Sequence, residues 1–155
     1  MKQAVVAGAL LVAALNAVAG LLGLWVYYRG DPSDARTAGR FWVALRVAQG
    51  SAITLAIAVG SLAAAGKTAN DALFYLYVLL PLAVAFVAEQ LRVAAAQTVL
   101  DQRGLPDAAA VGGLPPEEQR ALVFTIMRRE VGVMSASALV VVFLALRAAG
   151  TAHGF

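Results

Sequence analysis

Four long apolar runs divide this chain, and a soluble domain of 155 residues has no interior large enough to hide them. Hydrophobic residues make up 61% of the sequence and charged ones 14%, against roughly 45–50% and about 25% in soluble domains. The mean hydropathy of +0.79 agrees. A bilayer core roughly 30 Å thick needs about 20 apolar residues as a helix. Membrane β-strands alternate in short segments, whereas these runs are continuous. The expectation is an all-α, four-helix transmembrane bundle, one membrane domain over residues 1–155.

The spans are expected at about 3–28, 41–65, 72–100 and 116–148. The first carries no charge from Gln3 to Tyr28 and one strongly polar residue deep inside, Asn16. The second is uncharged from Val47 to Gly66, after an early Arg46. The third follows Asn70-Asp71, which reads as an N-cap, and is uncharged from Ala72 to Ala88. The fourth is uncharged from Val131 to Leu146. Those last two stretches hold 17 and 16 residues, short of a full crossing. Apolar character nevertheless resumes beyond Glu89 and Arg92, and precedes Arg128-Arg129-Glu130. Helices three and four are therefore expected to overrun the membrane as a cytoplasmic hairpin, with a loop over about 104–114 rich in Gly, Pro and Ala. Pro81 marks a candidate kink, and Pro115-Pro116-Glu117-Glu118 reads as a helix start. Lys2 and Ala17-Val18-Ala19 resemble a cleavable signal, but Leu21 to Val26 stays apolar where a cleavage region turns polar, so helix one is expected to be retained.

Nine of the twelve basic residues fall in or beside the connections after the first and third spans. Lys2, Lys67 and Arg147 mark the other side. The positive-inside rule then places both arginine-rich connections in the cytoplasm of a bacterial-type inner membrane, with both termini outside. Trp25, Tyr27, Tyr28, Phe41 and Trp42 gather at the same level, as interfacial aromatics do.

Ionisable residues gather at one depth. Arg46, Glu89, Arg92, Arg128, Arg129 and Glu130 form a layer with two carboxylates and four guanidiniums. Charges facing lipid cost roughly 2.5–3.5 kcal/mol each at mid-membrane, so pairs are expected. The expected pairs join Glu89 to Arg128 or Arg129, and Glu130 to Arg92 or Arg46, because guanidinium matches carboxylate with two parallel bonds. Three uses compete. The layer could fix helix register, bind an anion or anionic lipid headgroup, or carry a coupled ion at a carboxylate. The first weighs most, and the excess of guanidinium works against the third. Deeper, Asn16 and Gln49 form a candidate polar path to the layer. Arg46, Gln49, Gly50 and Ile53 share one helical stripe expected to face the bundle interior. The bland reading is that these amides and the hydroxyls of Ser51, Thr54, Ser135 and Ser137 bond neighbouring helices. Small residues recur every four positions, as in Ala19-Gly23 and from Ala44 through Gly60 to Ala64, which would permit close helix approach.

The absence of cysteine excludes disulfides and thiolate chemistry, and the single histidine, His153, excludes a multi-histidine metal site. No phosphate loop, nucleophile elbow or zinc helix motif occurs, and the aspartates do not form the spaced cluster of a magnesium-dependent lipid transferase. Neither cofactor nor metal is expected. The isoelectric point near 9.7 follows the membrane boundary and does not suggest nucleic acid. The expected role is non-catalytic: a small scaffold, assembly factor or accessory subunit. The expected partners are the lipid bilayer, anionic lipid headgroups, and further copies or a larger membrane complex. The alternative is a small oligomeric transporter or channel using the charged layer as its site.

Overall fold

A computed structural model describes residues 2–153, and these form five helices and no strand. The helices are α1 (Lys2–Arg29), α2 (Ala35–Ala64), α3 (Ala72–Gln102), α4 (Ala108–Val111) and α5 (Pro116–Thr151). All but α4 are long and apolar enough to cross a membrane.

Local chemistry sets their ends. Asp34 caps α2 by accepting from the backbone N–H of Arg36 and Thr37, and the Thr37 hydroxyl donates to the same carboxylate. The helix therefore starts at Ala35, a turn and a half before the expected position 41, through a polar segment that hydropathy alone assigns to a loop. Asp71 caps α3 through Leu73 N at 2.9 Å. α2 and α3 both end on a glycine in the left-handed region, Gly66 (φ 77°) and Gly104 (φ 68°). In each case the next residue reaches back, Lys67 N to Leu62 O and Leu105 N to Leu100 O, both at 3.0 Å. Only glycine adopts that φ without strain, and the back-bonds satisfy carbonyls that the helix leaves open. The loop over 104–114 is not wholly irregular. Asp107 nucleates the four residues of α4 by accepting from Ala110 N. Val111, Leu105 and Leu114 then pack on Val99, Leu100 and Leu122, joining the far ends of α3 and α5. α3 runs through Pro81 without a break.

Packing is uneven. α1 lies against both α2 and α5, α3 lies chiefly against α5, and α2 touches α3 and α5 only lightly. On α1 the buried seam is Val5, Ala9, Val12, Asn16, Ala19, Gly23 and Val26, spaced alternately by four and three. On α5 it is Val131, Met134, Ala138, Val141, Ala145 and Ala148, with the same alternation. That spacing holds one narrow face of each helix on its neighbour over several turns. Alanine and glycine alternate with valine along the seam, and the small residues allow the close backbone approach by which apolar helices select partners. A Cβ built on Gly23 would stand 1.9 Å from Ser135 Oγ and 2.6 Å from Phe41 Cε2, and one on Gly20 would stand 2.7 Å from Leu139 Cδ2. The four-residue stripe on α2 is used only in part: Ala48 and Ala52 are buried, while Gly60 and Ala64 are exposed.

Candidate functional site

The light α2–α3 contact leaves a lateral cleft of about 390 Å³. Ala52, Ile53, Leu82 and Phe86 wall it, Asn16 of α1 and Val141 of α5 form its floor, and Arg46, Gln49 and Glu89 close one end. Pro81 also lines it. The stripe of Arg46, Gln49 and Ile53 thus faces this cleft and not a packed interior. Gly50 is open, with no heavy atom within 4 Å of a Cβ built there.

Glu89 is the hub of the charged end. Its Oε1 accepts from Arg46 Nη1 at 2.7 Å, and its Oε2 lies 3.1 Å from Arg92 Nε. The second contact is coulombic only, since the buried Arg92 Nε makes no hydrogen bond. Arg92 also lies over the Trp42 ring, 5.4 Å from its centroid, a cation–π contact that orients the guanidinium. Arg46 Nη1 donates in addition to Gln49 Oε1 at 2.8 Å. The side chains of Arg46, Arg92 and Glu89 are 55%, 30% and 27% exposed; Arg46 and Glu89 line the cleft, and Arg92 stands one turn beyond Glu89 on α3. One carboxylate set against two guanidiniums gives the trio a surplus of one positive charge, and the whole layer, with Glu130, Arg128 and Arg129, holds four guanidiniums against two carboxylates.

The expected pairings are corrected by this geometry. Glu89 pairs with Arg46 and Arg92, not with Arg128 or Arg129. Glu130 makes no ion pair among the described residues, though Arg92 and Glu89 are its charged neighbours. Azimuth explains the difference. Ala88 packs on Val131 and Met134 of α5, and one residue further along a helix turns about 100°. Glu89 is thereby aimed at α2. Arg128 lies over the Tyr27 ring at 4.9 Å, and Arg129 Nη2 is 3.3 Å from Gln102 Oε1. The six expected residues therefore divide into a trio at the cleft, Arg46, Glu89 and Arg92, and three on the α5 side.

Asn16 is buried, and its amide nitrogen donates to Val12 O at 2.9 Å. Both Asn16 and Gln49 keep an amide N–H without a partner among the described residues, and both line the cleft. The hydroxyls do not bond across helices. Ser51, Thr54, Ser135 and Ser137 donate to Ala48, Gly50, Val131 and Met134 of their own helices. Each is satisfied by the open carbonyl lone pairs of the preceding turn. Trp42 and Phe86 complete the site. Trp42 stood out in the sequence only as an interfacial aromatic, and Phe86 is indistinguishable there from any lipid-facing residue. No group of three or more metal-ligating side chains lies together among the described residues.

In the connection between α1 and α2, outside the spans, Asp31 and Asp34 are both held below the ordinary carboxylate range. Hydrogen bonds from Ser33 do this for Asp31, and hydrogen bonds from Thr37 for Asp34. No family model, curated protein or solved structure matches this chain.

Proposed function

We propose that this chain is a non-catalytic, multi-pass protein of a bacterial-type inner membrane, serving as a small scaffold, assembly factor or accessory subunit. In this reading the arginine-rich connections lie in the cytoplasm and both termini outside. The ends of α3 and α5, tied together by α4, project past the headgroups as a hairpin. One observation carries the role: Glu89 commits both carboxylate oxygens to guanidiniums, one of them across the light α2–α3 contact. Such a charge cluster fixes how α2 sits on α3, which is a use of charge for conformational specificity. Mass spectrometry of the protein extracted gently from its own membrane tests this. A defined partner subunit that travels with it is the expected result. A chain that arrives without any protein partner, and that conducts a solute after reconstitution, would overturn the reading.

The cleft reaching from the charged trio to Asn16 favours a second reading, a small oligomeric transporter or channel. That reading requires a stable homo-oligomer and a flux abolished by Glu89→Gln or Glu130→Gln while stability is retained.

A further inference from the structure

The cleft between α2 and α3 has the polarity profile of one phospholipid. Its charged end carries a surplus positive charge, with Arg46 more than half exposed. Trp42 stands beside Arg92 at the level where aromatic rings meet headgroups. Beyond Arg46, α2 is uncharged through Gly66, and beyond Glu89 toward its start α3 is uncharged back to Ala72. The charged end is therefore at the membrane boundary, and the cleft runs inward from it. From Arg46 to Ile53 it extends about 10 Å along α2, some two-thirds of a leaflet's ~15 Å. About 4.5 Å below Arg46 along α2, toward the depth of a lipid's ester groups, Gln49 keeps an amide N–H donor without a partner among the described residues, and Asn16, near the middle of α1, keeps another. Ile53, Leu82 and Phe86 then offer an apolar wall to a chain.

From this sequence of cation, amide donor and apolar wall, we propose that the cleft binds one anionic membrane phospholipid. Its phosphate lies at Arg46, with Arg92 beside Glu89 adding to the positive charge, an ester carbonyl accepts from Gln49, and one acyl chain lies between α2 and α3 above Asn16. The surplus charge selects an anionic over a zwitterionic headgroup. Lateral access follows from the light α2–α3 contact, which lets a lipid enter from the bilayer without passing through water. The inference rests on the membrane-spanning reading above and is independent of the accessory role.

The test uses the full chain, delipidated in neutral detergent, with native mass spectrometry against phosphatidylglycerol, phosphatidylcholine and inorganic phosphate in separate arms. The expected result is one phosphatidylglycerol per chain, retained in clear preference to phosphatidylcholine, with no retention of inorganic phosphate. Arg46→Gln should lower occupancy by about tenfold, as for loss of one charge-assisted hydrogen bond. Ala85 also lines the cleft, so Ala85→Trp fills it and leaves every charge in place, and should abolish retention even if Arg46→Gln fails to fold. Equal retention of phosphatidylcholine, retention of inorganic phosphate alone, or phosphatidylglycerol held undiminished by Ala85→Trp would each overturn the proposal. Recovery of the chain in the soluble fraction without detergent would overturn the membrane reading as well. Membrane insertion without headgroup preference would overturn this inference alone.

Discussion

Gly23→Ala is the sharpest perturbation of the α1–α5 seam. The added methyl would lie 1.9 Å from Ser135 Oγ and 2.6 Å from Phe41 Cε2, so something must move by more than 1 Å at the first contact. Neither partner yields easily. Phe41 is fully buried, and the Ser135 hydroxyl is held by Val131 O at 2.6 Å. Overpacking of this kind costs about 1–3 kcal/mol, and two rigid partners place it at the upper end. The helical preference for alanine over glycine returns up to ~1 kcal/mol, for a net loss of about 2 kcal/mol. Gly60→Ala is the control, because no heavy atom lies within 4 Å of its Cβ position, and it should be neutral or slightly stabilising. Ser135→Ala removes the nearest obstacle but leaves Phe41, so Gly23→Ala with Ser135→Ala should recover about half of the loss. Reversible unfolding in mixed micelles, read by helicity, gives all four corners of the cycle. If Gly23→Ala proves as stable as Gly60→Ala, or the double variant shows no coupling, α1 and α5 do not meet as described.

Four further outcomes are expected. Glu89→Gln should lower stability by ~1 kcal/mol, as expected for partly exposed ion pairs, and its effect should be non-additive with Arg46→Gln in the same unfolding assay. Gly66→Ala places a side chain at φ 77° and should cost on the order of 1 kcal/mol, read against the same Gly60→Ala control. Asp34, whose carboxyl is lowered by its Thr37 hydrogen bonds, caps α2 fully above the ordinary aspartate value of ~3.9. That contribution is lost as pH falls through the lowered value, so protection of the α2 start from hydrogen exchange should weaken below about pH 4, and Asp34→Asn should flatten the profile. Finally, the chain contains no cysteine, so single cysteines at Gly112 and Thr68 report topology directly: membrane-impermeant reagents should label them from opposite sides.

The four long helices are legible because their apolar, uncharged runs are written into composition: each such run marks a helix in the structure. The start of α2 was not visible to hydropathy, since Arg36, Thr37 and Arg40 are polar, although Asp34 and Thr37 stand at capping distance. The depth of the charged layer follows from counting residues along each helix. Its pairing does not, because pairing depends on azimuth, and about 100° per residue separates the face of Ala88 from that of Glu89. In a soluble helix hydrophobicity would fix that azimuth. Here Leu, Val and Ile surround every helix, and the inner face is marked by small residues such as Ala9, Ala19 and Gly23. Alanine is so frequent that this mark stands out poorly until the partner helix is in place.

The pairing of the first helix with the last has a consequence in time. Gly20 and Gly23 meet Leu139 and Ser135, residues more than a hundred positions later in the chain. At about 5–20 residues per second the ribosome needs roughly 6 to 22 s to bridge that distance. During this interval α1 has α2 beside it, while the glycine face that α5 will cover stays open to whatever other helix drifts past. The surface that gives the finished bundle its closest helix contact is thus the last to be covered. A chain released before α5 is made would keep that glycine face uncovered and able to pair with another helix.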